Sequence, residues 1–199
     1  MKNIAIFASG SGSNAENLIR YFNLIHPKKS IRISIVIANR PDAYVLERAR
    51  QLSIPSIIYH RADFYPQKLG SYPLLKSLSD YQIDYIVLAG FLWLIPEYLI
   101  EAYPNRIVNI HPALLPAYGG KGMYGMHVHR SVIERGESES GITIHLVDNQ
   151  YDHGSTLFQA RCHVEPNESA ESLSQKTHLL EQEHYPKVVD DWINGKLFL

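Results

Sequence analysis

The sequence has little cysteine, with Cys162 alone among 199 residues. A single thiol excludes an internal disulfide and leaves no cysteine cluster for a structural zinc site. Cys162 lies in an alternating apolar run over residues 157–164, a pattern that favours a packed side chain over a catalytic nucleophile. Any chemistry of this chain is therefore expected from other residue types.

The sequence also lacks a strong net charge and a long apolar run. The formal net charge is -1, so there is no basic field of the kind that nucleic-acid binding requires. No apolar segment approaches the roughly 20 residues of a membrane-spanning helix, and the apolar start turns polar too soon for a signal peptide. These features predict a cytoplasmic protein without nucleic-acid or membrane partners, and they leave its oligomeric state open.

What the sequence does contain is an alternation of β-branched runs with segments of helical period. Strands are predicted over residues 3–8, 31–38, 56–59, 85–89, 106–110, 142–147 and 156–164, and helices over 14–22, 41–49, 67–78, 96–102, 128–134 and 169–194. This alternation predicts an α/β fold, a doubly wound, mostly parallel sheet with helices on both faces, in a single domain of residues 1–199. The short loop before the last strand has no room for a crossover helix, so the last two strands should pair antiparallel at the C-terminal edge.

Asn109 and His111 stand at the end of one predicted strand, which Pro112 terminates. Residues two apart on a strand point to the same side, and ligands of open parallel sheets bind at the strand ends. An amide N–H and an imidazole at such a place can stabilise a developing oxyanion and move a proton. The alternative is that His111 is a hydrogen-bonded histidine of the core.

A glycine-rich turn, Ser-Gly-Ser-Gly-Ser-Asn at residues 9–14, connects the first strand to the first helix. Glycines let a ligand approach the backbone, and the free N–H groups of a helix start attract an anion, so we expect a phosphate here. The alternative is a tight turn with Ser13 as helix N-cap. A dinucleotide-binding loop would be accompanied by an acidic residue after the second strand. Asn39 and Arg40 stand there instead, which argues against a dinucleotide ligand.

The remaining polar candidates are five histidines and two aspartates between residues 111 and 153. The spacing of His127 and His129 matches none of the usual zinc patterns, so we predict no metal. His145, in an alternating strand, is expected to be a hydrogen-bonded structural residue. Asp148 and Asp152 flank a short turn that either of them could cap.

Taken together, the motifs resemble those of the phosphoribosylglycinamide formyltransferases, a family of folate-dependent enzymes of purine synthesis. The resemblance covers the whole length and rests on the glycine loop, on Asn-Ile-His-Pro-Ala-Leu-Leu-Pro at residues 109–116, on Val-Leu-Ala-Gly-Phe at 87–91, on Ser-Gly-Ile-Thr-Ile-His at 140–145 and on Tyr-Asp-His-Gly at 151–154. It implies the formyltransferase fold and transfer of a formyl group from 10-formyltetrahydrofolate, as co-substrate, to the amine of glycinamide ribonucleotide.

The resemblance also implies a role for individual residues. The catalytic residues would be Asn109, His111 and Asp152. The substrate phosphate would bind Gly12, Ser13 and Asn14, the substrate ribose would contact Glu181, and the folate would bind Leu92, Trp93, Leu94, Ile95 and Asn109. The partners would be these two small molecules, with no metal.

The sequence departs from the usual family pattern at three places. Trp93 stands where an arginine is common, and His153 stands where a glycine is common. Residues 119–125 are longer than in many relatives and contain four glycines, which is typical of a mobile lid or of a surface insertion without consequence.

Rival functions make different demands on the sequence. A methionyl-tRNA or sugar formyltransferase would be expected to carry a further C-terminal domain, and a formyltetrahydrofolate hydrolase an N-terminal one. A dinucleotide-dependent oxidoreductase would use the glycine loop, but it has no need for Asn109, His111 and Asp152 together. A non-catalytic nucleotide-binding protein remains the simplest alternative.

Overall fold

The computed structural model describes residues 1–27, 30–67 and 70–197. The chain divides into two compact units, Met1–Ile107 and Val108–Leu199. The prediction of a single domain over residues 1–199 stays a prediction. In the described part of the chain, no helix is both long enough and apolar enough to cross a membrane.

The first unit is built on parallel strands. They are β1 (Lys2–Ala8), β2 (Ile31–Ala38), β3 (Ser56–Ile58) and β4 (Tyr85–Leu88). β1 pairs with β2 and β4, and β2 pairs with β3, always in parallel. β1 is buried from Asn3 to Ala8, which explains why its sequence is a continuous apolar run without alternation.

The helices of the first unit are α1 (Ser13–Ile19), α2 (Val45–Gln51), α3 (Arg61–Phe64), α4 (Pro73–Asp80) and α5 (Glu97–Ala102). A π-helical segment, Arg20–Ile25, continues α1. The predicted helix over residues 67–78 was wrong at its start, because Pro73 occupies the first turn of α4, where its missing N–H costs nothing. Of that predicted range, Lys68 and Leu69 lie outside the described residues.

The second unit contains β5 (Ile107–His111), α6 (Met126–Glu134), β6 (Glu139–Leu146), β7 (Thr156–His163) and α7 (Ala170–Ile193). β6 and β7 pair antiparallel, which confirms the prediction for the last two strands. β5 and β6 are antiparallel as well. The sequence did not indicate this, because a helix between two strands usually makes a parallel crossover.

α7 is continuous through Pro186, although a proline inside a helix favours a break or a bend. Tyr185, Pro186, Val188 and Val189 are buried, so packing of this face stabilises the helix across the missing hydrogen bond. Ser169 caps the N-terminus, since its side chain accepts a hydrogen bond from the N–H of Ser172. The parallel strands, the helices and the antiparallel C-terminal strands confirm the predicted α/β class.

Candidate active site

Asp152 lies beside both Asn109 and His111 in the second unit. Nδ2 of Asn109 is 3.4 Å from Oδ1 of Asp152, and Nδ1 of His111 is 3.5 Å from Oδ2. Asn109 and His111 contact the same carboxylate because they are two apart on β5 and share one side of the strand. The structure thus brings together the three side chains that the sequence predicts to be catalytic, and His111 is only 3% exposed.

A second carboxylate organises the turn that presents Asp152. Oδ1 of Asp148 accepts the N–H of Gln150 at 2.9 Å, and Oδ2 lies 2.7 Å from Nδ1 of His153. Asp152 itself has a φ of 53°, a left-handed conformation that aspartate tolerates better than most residues. Asp148 therefore has the turn-capping role that the sequence left open for either aspartate.

Gly154 holds the other end of this turn against β6. A Cβ atom at position 154 would lie 1.9 Å from the carbonyl oxygen of Leu146. No side chain fits there, so the close approach of two backbones requires glycine. This contact limits where the chain can pass after Asp152 and therefore where the carboxylate can lie.

His145 belongs to the same cluster, although the sequence predicts only a structural role for it. Antiparallel pairing places His145 opposite Asn109 and Thr143 opposite His111. Nε2 of His145 is 3.1 Å from Nδ2 of Asn109 and 3.7 Å from Oδ1 of Asp152. The signal for this residue is the register of β5 and β6, which can be known only once their antiparallel pairing is known.

The hydrogen bonds of His145 orient the amide of Asn109. Nδ1 of His145 is 2.7 Å from the carbonyl oxygen of Leu146. A carbonyl only accepts, so Nδ1 carries the hydrogen, and Nε2 of the neutral ring accepts from Asn109. The amide nitrogen of Asn109 consequently faces His145 and Asp152.

The electrostatic environment of His111 contains opposing effects. Burial lowers its pKa below the ordinary value, while the charge of Asp152 and the hydrogen bond to Tyr118 raise it. The effect of burial is the larger one, because removing an imidazolium from water is costly and Asp152, at 3.5 Å, makes no short hydrogen bond to the ring. Asp152 thus favours the protonated form of His111, but burial outweighs this effect.

The carboxyl of Asp152 has a pKa below its ordinary value. Burial alone would raise this pKa, but the polar groups around the carboxylate, with the N–H of Gly120 among them, outweigh it. Gly120 donates that backbone N–H to Oδ2 of Asp152 at 3.0 Å. Asp152 is therefore a carboxylate at neutral pH and can accept a proton from a nearby donor.

The segment after β5 closes back onto His111. The carbonyl oxygen of Tyr118 is 2.7 Å from Nε2 of His111, and Tyr118 has a φ of 58°. A left-handed conformation in a residue other than glycine costs about 1–2 kcal/mol, so surrounding contacts have to stabilise it. Tyr118 also borders a cavity of about 450 Å³, together with Gly119, Met123, Ser131, Glu134 and Arg135.

Thr143 and Gln159 support the turn between β5 and Tyr118. The hydroxyl of Thr143 donates to the carbonyl oxygen of Ala113 at 2.7 Å and accepts the N–H of Leu115 at 2.9 Å. Gln159 donates to the carbonyl oxygen of Leu115 at 3.0 Å. These bonds satisfy the backbone just past His111, so the strand end is well defined.

Glu181 and His129 lie near the buried histidine in the second unit. The charge of Glu181 raises the pKa of both His111 and His129. His129 is 3% exposed, and its Nδ1 has no hydrogen-bond partner among the described residues. Oε2 of Glu181 also lies 3.3 Å from Nδ1 of His178. Glu181, the residue predicted to contact the ribose, therefore lies close enough to His111 for its charge to act on the imidazole.

In the first unit, the glycine loop is held against the start of α2. The N–H of Val45 donates to the carbonyl oxygen of Gly10 at 3.1 Å, and Nε of Arg48 donates to that of Ser11 at 2.8 Å. Gly12 has a φ of 76°, and a Cβ there would lie 2.5 Å from Cγ2 of Val45. Glycine is thus required at position 12 both by conformation and by space.

The N-cap of α1 differs from the alternative considered for this loop. Gly12 is the N-cap, and Ser13 is the first residue of the helix. Ser13 is therefore not the capping residue. Gly12, Ser13 and Asn14 form the junction of loop and helix, where the first N–H groups of a helix have no acceptor within the helix.

The predicted folate segment, residues 92–95, follows β4 in the first unit. The N–H of Leu92 donates to Oγ of Ser9 at 2.9 Å, which ties the segment to the glycine loop. The hydroxyl of Tyr65 donates to the carbonyl oxygen of Leu94 at 2.6 Å. Leu92 is exposed and Ile95 is buried, so the two ends of the segment lie in different environments.

Trp93 lies in an aromatic cluster of the same unit. Its ring centroid is 5.2 Å from that of Phe64 and 6.1 Å from that of Phe91. The guanidinium of Arg61 lies 5.9 Å from the Trp93 centroid, a distance typical of a cation–π contact. Aromatic packing therefore holds Trp93 in place.

No group of three or more histidine, cysteine, aspartate or glutamate side chains is arranged as metal ligands within the described ranges 1–27, 30–67 and 70–197. The five histidines between residues 111 and 153 are accordingly not gathered into one centre. That the reaction needs no metal stays a prediction.

Comparison with known proteins identifies the family. The family model described as formyl transferase matches residues 2–189. A phosphoribosylglycinamide formyltransferase of Haemophilus influenzae is 34% identical over 205 residues, which cover 100% of this chain and 91% of that protein. The chain belongs to the formyl transferase family.

A chloroplastic phosphoribosylglycinamide formyltransferase of Arabidopsis thaliana is 40% identical over 196 residues, covering 94% of this chain. The chain spans 64% of the length of that plant protein, less than two thirds. Among solved structures, the glycinamide ribonucleotide transformylase 1 of Symbiobacterium toebii has a TM-score of 0.87 at 30% identity, covering 100% of this chain and 91% of that one. The similarity in fold to a solved structure of this family thus extends over the whole chain.

Proposed function

We propose that the protein transfers the formyl group of 10-formyltetrahydrofolate to the amine of glycinamide ribonucleotide. The observation that carries this proposal is the buried cluster in which one carboxylate, Asp152, contacts Asn109 and His111 in a member of the formyl transferase family. The similarity to proteins named phosphoribosylglycinamide formyltransferase supports this choice of substrates.

The reaction is a direct attack by the amine. The amine nitrogen bonds to the formyl carbon, and the carbonyl electron pair moves to the oxygen, which becomes a tetrahedral oxyanion. The attacking nitrogen then loses a proton, the bond from the formyl carbon to the folate nitrogen breaks, and that nitrogen takes up a proton. No covalent intermediate with the protein is needed, in keeping with the half-buried position of Cys162 and with its raised pKa.

Asn109 and the protonated form of His111 supply the N–H groups for the oxyanion, and Asp152 accepts the proton from the attacking nitrogen. Fixed donors of this kind are effective because they are oriented before charge develops. The contacts of Asp152 with Asn109 at 3.4 Å and with His111 at 3.5 Å are long for hydrogen bonds. An entering substrate can therefore replace them at little cost.

Other residues hold the two substrates in this proposal. Gly12, Ser13 and Asn14 bind the phosphate at the start of α1, and Glu181 contacts the ribose. Residues 92–95 bind the folate together with Asn109. We also propose that the protein acts in the cytoplasm on these small molecules, without a metal and without nucleic-acid or membrane partners.

The proposal is tested with the purified chain and 10-formyltetrahydrofolate, with and without glycinamide ribonucleotide. Formylated ribonucleotide and free tetrahydrofolate formed in equal amounts, only when both substrates are present, are the expected result. Release of formate without the ribonucleotide would instead indicate a hydrolase and refute the proposal.

Two aspartates of the same turn provide a matched pair of variants. Asp152→Asn should lower kcat about 100-fold or more, because it removes the carboxylate that accepts the proton. Asp148→Asn, four residues away, keeps a side-chain oxygen that can accept the N–H of Gln150, so the turn is retained and kcat should change little. Equal effects of the two substitutions would refute the role of Asp152.

A further inference from the structure

His111 lies between two groups that can only accept hydrogen bonds. Its Nε2 is 2.7 Å from the carbonyl oxygen of Tyr118, and its Nδ1 is 3.5 Å from Oδ2 of Asp152. A neutral imidazole has a single N–H, so it can donate to only one of them. The nitrogen that does not donate carries the lone pair and is the basic one.

The distances favour the Tyr118 carbonyl for that hydrogen. A contact of 2.7 Å is a short hydrogen bond, whereas 3.5 Å is at the limit of one. The neutral ring therefore carries its hydrogen on Nε2 and presents a basic Nδ1 to Asp152. Without the carbonyl, the hydrogen would move to Nδ1 to meet the carboxylate, and Nε2 would become the basic nitrogen.

The side chain of Tyr118 is held from outside the cluster. Its hydroxyl donates to Oε1 of Glu137 at 2.6 Å, and the guanidinium of Arg135 lies 5.2 Å from its ring centroid. The ring also packs against the apolar cluster of Val132, Val164 and Leu173. These contacts stabilise the left-handed backbone that directs the Tyr118 carbonyl to His111.

Arg135 and Glu137 are themselves well anchored at the end of α6. The N–H of Arg135 donates to the carbonyl oxygen of Ser131 at 3.2 Å, and that of Glu137 donates to Val132 at 3.3 Å. The position of the carbonyl at His111 is thereby tied to a helix end that is distant in sequence.

We propose that Tyr118 is a positioning residue: Glu137 and Arg135 hold its side chain so that its carbonyl keeps the hydrogen of His111 on Nε2 and leaves Nδ1 basic. Its effect on turnover rests on the function proposed above, whereas its effect on the imidazole does not.

This arrangement also affects the protonation of His111. The titratable groups that face His111 are Asp152, His145, His129 and Glu181. Asp152 and the Tyr118 carbonyl each raise its pKa against the effect of burial. An imidazolium donates to both acceptors at once, so the carbonyl stabilises the charged form, and its displacement should lower the pKa of His111 further.

The test uses Tyr118→Phe in protein with ¹⁵N-labelled histidine, with the His111 signals assigned from a His111→Asn variant. The wild type should show hydrogen on Nε2 of His111, and Tyr118→Phe should shift part of the population to Nδ1. The basic limb of the kcat–pH profile should move to lower pH, because less of the N–H-donating imidazolium is present, and kcat should fall about 10-fold with KM nearly unchanged.

Three further variants make the test specific. Tyr124→Phe, in the same segment, removes a hydroxyl that is not bonded to Glu137 and should leave the imidazole and kcat unchanged. Glu137→Ala should reproduce Tyr118→Phe, whereas Glu137→Gln keeps an oxygen acceptor and should restore wild-type behaviour. Thermal unfolding of each variant verifies that it is folded.

An unchanged tautomer in folded Tyr118→Phe and Glu137→Ala would overturn the proposal, as would a changed tautomer with wild-type kcat and pH profile. The tautomer could change in Tyr118→Phe while the wild-type protein shows no formyl transfer. That result would refute the proposed function and support the control of the imidazole by Tyr118.

Discussion

Two pairs of aspartate and histidine lie in or beside the same turn, and their surroundings make them chemically different. Asp148 and His153 are 2.7 Å apart at the surface, where the His153 side chain is 64% exposed. Asp152 and His111 are 3.5 Å apart, and the His111 side chain is only 4% exposed. The closer pair is the weaker candidate for catalysis, because water screens its charges and stabilises either protonation state.

The buried pair is linked to a network, and the exposed pair closes a turn. Asp152 contacts Asn109, His111, His145 and the N–H of Gly120, while Asp148 contacts His153 and the N–H of Gln150. Burial and several fixed partners make protonation of the first pair depend on its neighbours. The difference shows that a short distance between two charged groups is a poor guide to function.

The strongest test of this comparison replaces the histidine of each pair. His111→Asn should lower kcat about 100-fold or more, because the imidazole is the group that shares the proton with Asp152. His153→Asn should leave kcat close to that of the wild type. Steady-state formyl-transfer assays on both variants decide this, and a large loss in His153→Asn would contradict the distinction.

A second test disturbs the turn that carries both aspartates. Gly154→Ala should lower the free energy of unfolding by about 2–3 kcal/mol, since the added Cβ meets the Leu146 carbonyl and overpacks the site. The matched variant Gly10→Ala, with nothing within 4 Å of the new Cβ, should stay within about 0.5 kcal/mol of the wild type. Urea unfolding measures both, and equal stabilities would contradict the close approach at position 154.

A third test concerns the partner of Asn109. His145→Gln should lower kcat about 10-fold with little change in KM, because the amide that orients toward the substrate loses its acceptor. His163→Gln, on the neighbouring strand β7, replaces an exposed histidine that lies 3.6 Å from Glu165 and should have no such effect. Loss of kcat in both variants would argue against a specific role of His145.

The smallest expected effect is on the pH dependence of stability and compares two histidines beside Glu181. Burial lowers the pKa of His129 even though Glu181 raises it, and His111 lowers it further. The unfolded state therefore binds more protons, so this contribution to stability is present above pH about 6.5 and is lost as the pH falls. His129→Gln should flatten the decline in the free energy of unfolding below that pH.

His178 should show the opposite sign. The hydrogen bond with Glu181 raises its pKa, so its contribution is present below pH about 6.5 and is lost as the pH rises through the folded-state value. His178→Gln should therefore change the stability curve above that pH. Urea unfolding at a series of pH values tests both variants, and a wild-type curve for either one would contradict the assignment.

Much of the architecture could be predicted because it depends on local pattern. The apolar run of β1 and the β-branched run of β2 predicted strands at their observed positions. The spacing of Asn109 and His111 was sufficient to predict that they share one side of a strand. By contrast, the start of α4 was missed, because the predicted helix extends back to residue 67, past a proline that is the first residue of the observed helix.

The parts of the candidate site that could not be predicted depend on partners distant in sequence. His145 joins Asn109 only through the antiparallel register of β5 and β6. The family resemblance selects Asp152 over Asp148, but the physical difference between them, burial and contact with His111, is visible only in the fold. Tyr118 carries no motif that indicates a contact with His111, since the atom that makes the contact is a backbone oxygen.

The sequence by itself therefore determined the order of strands and helices, the glycine loop and the residue types able to support formyl transfer, because these follow from periodicity and from side-chain chemistry. Only the tertiary structure decided how closely Asp152 approaches His111, which residue orients Asn109 and which atom lies beside Nε2 of His111. These depend on strand register, burial and a backbone carbonyl, and none of the three can be derived from the chemistry of one residue and its neighbours in the chain.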